Sequence, residues 1–210
     1  MLAHKLLGVI FDLDDTLVSS SLNFDEIRTS LGCTAGVDLL DFVAALPIEQ
    51  QIDANEQLLT YEINDAMNAK KMPGTEQLLA LLSDLGIPCA IVTRNCRQAA
   101  AIKVSNNNID IALVLTREDH KAKPAPDALL HIAKLWQIAP ENLLYVGDYL
   151  YDLQAAANAK TMSSLVTNGK TSHYAHLADI VVDDLIELSD KIQAEFICDS
   201  VHGASELLGR

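Results

Sequence analysis

Short apolar runs alternate with longer amphipathic segments along most of the chain, a pattern typical of α/β proteins with a parallel sheet. The apolar runs are rich in Val, Ile, Leu and Ala and predict six strands, at Leu7–Phe11, Pro88–Val92, Ile111–Leu115, Asn142–Val146, Ser163–Val166 and Asp179–Val182. Because polar residues hardly interrupt these runs, we expect strands that helices cover on both faces. The pattern therefore predicts a three-layer α/β core.

The segments between the predicted strands have the spacing of amphipathic helices. The segment from Gly74 to Leu85 carries leucines at 78, 79, 81, 82 and 85, and Gly86 follows as a C-terminal stop. A second helix is predicted after Pro126, with its apolar side formed by Leu129, Leu130, Ile132, Ala133 and Trp136. The chain after Asp183 also has a helical pattern.

The stretch from residue 18 to residue 72 departs from this alternation. It contains helical patterns such as Leu39–Leu46 and Ile48–Met67 but no convincing strand, and Pro73-Gly74 closes it. Such a stretch is too long for an ordinary connection between a strand and the next helix. We therefore predict a helical insert at 18–72, packed beside a core formed by residues 1–17 and 73–210.

Composition narrows the classes of function. The chain has 210 residues, 50% hydrophobic and 21% charged, with a formal net charge of −14. A surface of that charge repels phosphate backbones, so we expect no nucleic-acid partner. We also expect no membrane span and no signal peptide, because Asp12 follows the N-terminal apolar residues closely. The four scattered cysteines (Cys33, Cys89, Cys96 and Cys198) contain no C-x-x-C pair and predict reduced thiols in a cytoplasmic protein.

Polar residues follow four of the predicted strands, at the ends where parallel sheets bind ligands. Asp12-Leu13-Asp14-Asp15-Thr16 follows the first strand and Thr93-Arg94-Asn95 the second. Lys121-Ala122-Lys123-Pro124 lies beyond the third, and Gly147-Asp148-Tyr149-Leu150-Tyr151-Asp152 follows the fourth. The sequence thus predicts a site in which carboxylates, a hydroxyl and a lysine converge.

Clustered carboxylates stay ionised together only beside a compensating cation. Oxygen ligands without Cys or His favour a hard ion, and Mg²⁺ is the usual choice beside a phosphate. Lys123 adds a second positive charge, and Thr93 can donate a hydrogen bond to a phosphate oxygen. One carboxylate can then attack phosphorus while a second acts as general acid and base, and Asp12 and Asp14 fit these two roles.

The four segments, in this order, resemble the four motifs of the haloacid dehalogenase superfamily. The motif residues are Asp12 to Thr16, then Thr93, Lys123 and Gly147-Asp148-x-x-x-Asp152. The likeness covers nearly the whole chain, from residue 7 to the stretch at 178–185. Any one of these motifs is weak evidence, whereas four in order at strand ends are strong evidence.

The resemblance implies a Rossmann-like core and a magnesium-dependent phosphatase acting on a small phosphorylated metabolite. It implies Mg²⁺ held by Asp12, the main-chain carbonyl of Asp14 and Asp148, with Asp152 supporting the metal site and Lys123 from behind. It also implies Asp12 as the nucleophile and Asp14 as the general acid and base, with Thr93 and Lys123 binding the phosphoryl group. Arg94, next to Thr93, is a further candidate for a phosphate contact. The insert resembles the family's small helical cap, which closes over the site and selects the substrate.

Three comparisons with branches of the family bear on the reaction. Many members have Gly where this chain has Asp15, although Asp is common in the phosphatases. The dehalogenases lack an aspartate equivalent to Asp14, so Asp14 favours phosphate chemistry. Mutases of the family often use a cap histidine, and this chain has no histidine between His4 and His120.

Several alternatives stay open on the sequence alone. A phosphotransferase or phosphomutase would share the same core, and a catalytically idle member would serve as a binding or regulatory subunit. Lys121 competes with Lys123 for the phosphate-binding role, and Arg94 and Asn95 are equally well explained as exposed loop residues. In the insert, Arg28 is the residue that we expect to face the substrate.

Overall fold

The structure is a computed structural model, and it describes residues 5–195. Within these residues the chain forms one parallel sheet of six strands in the order β3-β2-β1-β4-β5-β6. The strands are β1 Gly8–Phe11, β2 Cys89–Val92, β3 Leu113–Leu115, β4 Leu143–Gly147, β5 Met162–Val166 and β6 Ile180–Val182. All six predicted strands are confirmed, with ends that shift by one or two residues.

Helices cover both faces of this sheet. They are α1 Phe24–Leu31, α2 Leu39–Ala45, α3 Ile48–Asn68, α4 Thr75–Asp84, α5 Arg97–Asn106, α6 Asp127–Trp136, α7 Leu150–Ala159 and a last helix over residues 185–195. One apolar cluster packs α4 and the last helix against the sheet, and a second cluster packs α6 and α7 against the opposite face. In β1, Val9 and Phe11 belong to the first cluster while Ile10 belongs to the second. A strand buried on both sides in this way requires the continuous apolar run seen in the sequence.

The predicted helices after Gly74 and Pro126 are confirmed as α4 and α6. Gly86 ends the first of them with a φ of 67°, a left-handed conformation that glycine adopts without strain. The helix predicted after Asp183 is confirmed over residues 185–195, and the remainder of that prediction, with Cys198, lies outside the described residues. Cys33, Cys89 and Cys96 are free thiols.

The stretch predicted as an insert contains α1, α2 and α3. These helices share an apolar cluster that includes Ile27, Val43 and Leu58. The C-terminal part of α3 instead packs on α5, where Ala66 meets Cys96 and Ala99. The assignment of residues 18–72 to a separate cap domain stays a prediction.

The strand order reverses direction between β1 and β4. The chain runs outward from β1 through β2 to β3, and it then returns to β4 on the other side of β1. At such a point the connections leave in opposite directions and open a crevice at the carboxyl ends of the strands. The loops after β1 and β4, which carry Asp12 and Asp148, both lie at this crevice.

The part of the chain covered by residues 5–195 has no helix that is both long and apolar enough to cross a membrane.

Candidate active site

Asp12 is fixed at the end of β1 by the sheet itself. Its backbone N–H donates to the carbonyl of Val146 in β4 at 2.8 Å, which continues the β1–β4 ladder by one residue. The side chain is buried, and one carboxylate oxygen accepts a hydrogen bond from Nζ of Lys123 at 2.6 Å. The structure thus places a buried carboxylate and a buried ammonium in direct contact at the crevice.

Lys123 comes from the loop between β3 and α6, and it links the exits of β1 and β4. Its Nζ also donates to Oδ1 of Asp152 at 2.6 Å. Burial alone would lower the pKa of Lys123, but Asp12 and Asp152 outweigh this effect and the pKa is raised. Lys121, the alternative considered on the sequence, is exposed.

Asp152 lies in the first turn of α7 and is locked in place on both carboxylate oxygens. Oδ1 accepts from Lys123 and lies 3.2 Å from the hydroxyl of Tyr145, while Oδ2 accepts from the backbone N–H of Tyr149 at 3.0 Å. Gly147 allows this close approach, because a Cβ atom there would overlap the side chain of Asp152. These contacts fix the carboxylate of Asp152 against Lys123, and its supporting role at the metal site stays a prediction.

Asp12, Asp148 and Asp152 each offer an oxygen within 4.8 Å of the others, a grouping suited to a metal ion. Burial and the neighbouring carboxylates raise the pKa of Asp12, and the same causes raise the pKa of Asp148 to about 8. Three carboxylates and the single ammonium of Lys123 carry a net charge of −2. A hard divalent cation held by oxygen ligands would balance this charge, so the residues present fit such an ion.

Thr93 and Asn95, after β2, are both buried at the crevice. Oγ1 of Thr93 accepts from the backbone N–H of Asn95 at 3.1 Å and from its side-chain Nδ2 at 3.0 Å. A hydroxyl has two lone pairs and one hydrogen, so these two bonds leave the Thr93 hydroxyl to donate. Thr93 lines the same cavity as Asp12 and Lys123.

Asp14 reaches the cavity from the loop after β1. Its Oδ2 accepts from Nδ2 of Asn95 at 2.6 Å, and its Oδ1 accepts from Nζ of Lys103. Burial raises the pKa of Asp14 above the usual range, against the opposing effects of Lys103 and Asn95. The next residue, Asp15, has a φ of 51°, which explains why glycine is common at this position in the family that the sequence resembles.

Arg94 lines the cavity, but its guanidinium is engaged by other residues. Nη2 donates to both carboxylate oxygens of Asp38 at 2.7 and 2.8 Å, and Nη1 donates to the carbonyl of Lys123. The group also lies 4.8 Å from the ring centroid of Tyr151. Arg94 therefore ties the start of α2 to the loops that follow β2 and β3, and its contact with a phosphate stays a prediction.

The cavity has a volume of about 460 Å³ and contains every site residue predicted from the sequence. On the side formed by α1 to α3 its lining is mostly apolar, with Phe24, Ile27, Leu39 and Leu58. Arg28 also faces it, and the Nε of Arg28 is buried without a hydrogen-bond acceptor among the described residues.

Sequence reasoning missed Lys103, which contacts two carboxylates of this region. Lys103 is fully buried on α5, where it contacts Asp14 and lies 2.7 Å from Asp65 of α3. One signal was available: Lys103 lies on the helix face that carries Ala99 and Ala100, where an apolar residue would be expected. A lysine on an apolar stripe indicates a buried carboxylate partner, although the sequence does not identify it.

Residues 9–166 match the family described as haloacid dehalogenase-like hydrolase. A phosphoglycolate phosphatase of Nitrosococcus oceani is 30% identical over 216 residues, which cover 87% of this chain and 94% of that protein. An uncharacterized hydrolase of Saccharomyces cerevisiae is 29% identical over 199 residues, which cover 89% of this chain and 90% of that protein. The crystal structure of a hydrolase from Pseudomonas syringae superposes with a TM-score of 0.77 at 22% identity, covering 90% of this chain and 98% of that one, and it supports the fold alone.

Proposed function

We propose that this chain, which belongs to the haloacid dehalogenase-like hydrolase family, is a magnesium-dependent phosphatase that hydrolyses a small phosphate monoester through an aspartyl-phosphate on Asp12. Relatives named as phosphoglycolate phosphatase and N-acetylmuramic acid 6-phosphate phosphatase support a hydrolase of the phosphatase type. The observation that carries the proposal is the contact of buried Asp12 with Lys123 at the point where the strand order reverses.

The metal proposal rests on the donor set. Asp12, Asp148 and the main-chain carbonyl of Asp14 would hold Mg²⁺, while both oxygens of Asp152 are already engaged by Lys123 and Tyr149. When bound, Mg²⁺ supplies positive charge that offsets the carboxylates and the phosphoryl oxygens. This charge lets Asp12 remain ionised, and therefore nucleophilic, beside an anionic substrate.

Each step of the proposed reaction uses side chains at the crevice. An oxygen of Asp12 attacks phosphorus, the bond from phosphorus to the ester oxygen breaks, and Asp14 gives its proton to the departing alkoxide. Asp14 then takes a proton from water, which attacks phosphorus and releases inorganic phosphate and free Asp12. Lys123 and the hydroxyl of Thr93 hold the phosphoryl oxygens through both steps.

We further propose that residues 18–72 act as a cap that excludes water and selects the alcohol part of the substrate. The apolar cluster shared by α1, α2 and α3 supports a separate unit. The free thiols of Cys33, Cys89 and Cys96 support a cytoplasmic location.

The first test of the function is metal dependence. We expect hydrolysis of an aryl phosphate to require Mg²⁺, to stop in EDTA and to be inhibited by excess Ca²⁺. Ca²⁺ accepts longer bonds and more ligands than Mg²⁺, so it can bind both oxygens of Asp12 and misalign the attack. Steady-state rates of phosphate release measure the effect. Equal rates in EDTA, Mg²⁺ and Ca²⁺ would contradict the proposed site.

A second prediction concerns specificity and Arg28. We expect Arg28→Gln to raise KM about tenfold for a carboxylated alkyl phosphate but not for the uncharged ester of equal length, because charge-assisted hydrogen bonds contribute about 1.5–3 kcal/mol. The buried Nε of Arg28 has no acceptor among the described residues, and its Nη1 lies 3.5 Å from the exposed carboxylate of Asp25. The other cavity arginine, Arg94, is held more closely, by Asp38 at 2.7 Å. Arg97→Gln, at an exposed arginine paired with Asp119, is the matched control. Equal KM changes for both esters would exclude Arg28 from substrate recognition.

A further inference from the structure

We propose that Lys103 is a positioning residue that holds the acid–base carboxylate of Asp14 and couples it to helix α3 through Asp65. The inference rests on the role proposed for Asp14. It assigns a function to a buried lysine that does not touch the substrate and is absent from the four motifs.

The ammonium of Lys103 is completely enclosed between two carboxylates. Lys103 has no exposed surface, and its Nζ contacts Oδ1 of Asp14 and lies 2.7 Å from Oδ2 of Asp65. Burying an ammonium costs several kcal/mol unless hydrogen-bonded anions surround it. A neutral residue of equal length would fill the same space on α5 without that cost. We infer that the positive charge of Lys103, and not only its volume, is what this position on α5 requires.

On the side of the active site, Lys103 defines where the Asp14 carboxylate lies. One oxygen of Asp14 is held by Lys103, and the other is held by Nδ2 of Asn95 at 2.6 Å. The same Nδ2 donates to the hydroxyl oxygen of Thr93. Both oxygens of Asp14 thus accept hydrogen bonds, beside the hydroxyl proposed to bind phosphate. Without Lys103, only the hydrogen bond from Asn95 would hold the carboxylate of Asp14, and the carboxylate could rotate more freely.

On the opposite side, Asp65 connects Lys103 to the helical insert. Asp65 lies near the C-terminal end of α3 and accepts hydrogen bonds from the backbone N–H of Ser21 at 2.6 Å and from its hydroxyl at 2.9 Å. The hydroxyl of Ser20 also donates to Asp65, at 3.0 Å. Ser20 and Ser21 lie in the segment that leads from the Asp14 loop into α1. The carboxylate that Lys103 binds therefore joins the C-terminal part of α3 to the segment that leads into α1.

A purely structural anchor for α3 is the alternative explanation, and the chain contains such an anchor for comparison. Glu62, one turn before Asp65 on α3, is bound by Arg117 from the turn after β3 and by the backbone N–H of Cys96 at 3.1 Å. Arg117 and Glu62 also form a largely buried ion pair between α3 and the core. Arg117 also donates to the carbonyl of Arg94 at 2.9 Å, so its loss is expected to slow transfer from both esters alike. Among the described residues, the hydrogen bonds and ion pairs of Arg117 and Glu62 do not include Asp14, so the ratio of the two transfer rates separates anchoring from positioning.

The test compares Lys103→Met with Arg117→Met in the magnesium-loaded enzyme. Single-turnover phosphoryl transfer is measured with an alkyl phosphate, whose leaving group needs a proton, and with a nitrophenyl phosphate, whose leaving group does not. We expect Lys103→Met to slow transfer from the alkyl ester about 10- to 100-fold more than from the nitrophenyl ester, since misplacing a group by about 1 Å can cost about 10² in rate. Arg117→Met should leave that ratio unchanged.

Asp65→Asn is measured in parallel, because it removes the negative charge of one partner of Lys103 while keeping the buried ammonium paired with Asp14. It should shift the ratio in the same direction by a smaller factor, and it serves as the test if Lys103→Met does not fold. Equal slowing of both esters in the variants of Lys103 and Asp65, or the same shift in Arg117→Met, would overturn the proposal. Failure of the proposed function is a different result, because the wild-type protein would then release no phosphate from either ester.

Discussion

Asp12→Asn should abolish turnover, with a loss in kcat on the order of 10⁴-fold or more, because an amide cannot serve as the nucleophilic carboxylate. The replacement keeps the size of the side chain, and the backbone N–H of residue 12 still donates to Val146. Lys123 would keep its second partner, Asp152, at 2.6 Å. We therefore expect the fold to survive while the reaction stops.

Phosphate release and the mass of the acid-quenched enzyme measure this result. The wild-type protein should carry one added phosphoryl group under conditions that slow its hydrolysis, whereas Asp12→Asn should carry none. Asp190→Asn, at an exposed aspartate on the last helix, is the matched control and should retain wild-type rates. The melting temperature of each variant shows whether the fold is intact. Steady-state activity of Asp12→Asn near that of the wild type would exclude the covalent mechanism.

Much of the fold was predictable because its strands are buried on both faces. β1 and β4 lie at the centre of the sheet. Their sequences, GVIF and LLYVG, lack the alternating polar residues of a strand with one face in water, and every residue in them is buried. The site followed from the same property, since the carboxyl ends of parallel strands share one edge of the sheet. Asp12, Thr93 and Asp148 could therefore be grouped before their distances were known.

Contacts between distant parts of the chain were not predictable in this way. Lys103 and Asp14 are 89 positions apart, and Arg94 and Asp38 are 56 apart. An amphipathic pattern identifies the buried face of a helix, but it does not specify which carboxylate approaches a charge on that face. The pairing depends on how α2 and α3 pack against the loops at the carboxyl ends of the strands, and that packing is set by shape across many residues.

These distant contacts also determine how the two aspartates of the first loop differ. Asp12 contacts Lys123 at the crevice, while Asp14 turns toward Lys103 and Asn95. Both carboxylates have a raised pKa because of burial, but their partners come from different elements. Asp12 lies in the charge cluster of Asp148 and Asp152, and Asp14 lies beside it, which supports the proposed assignment of Asp12 to the attack on phosphorus and of Asp14 to proton transfer.

Asp14→Asn should slow phosphoryl transfer from an alkyl phosphate about 10²–10⁴-fold, the usual contribution of general acid catalysis, and slow transfer from a nitrophenyl phosphate far less. An alkoxide needs a proton to leave, whereas nitrophenolate leaves readily without one. The measurement must be single-turnover transfer, because in the proposed mechanism Asp14 also activates the water that attacks the phosphoryl-enzyme. Steady-state turnover would therefore fall for both substrates and would hide the contrast.

The matched control for this prediction is Asp15→Asn, which removes one carboxylate from the same loop without removing the proposed proton donor. Asp15 accepts from the backbone N–H of Ser20 at 3.0 Å, and asparagine tolerates its positive φ. We expect Asp15→Asn to change transfer from both esters by the same factor. If Asp14→Asn also slowed both esters equally, Asp14 would be acting through metal geometry or the local field. Asp12 could then still be the nucleophile, but Asp14 could not be the general acid.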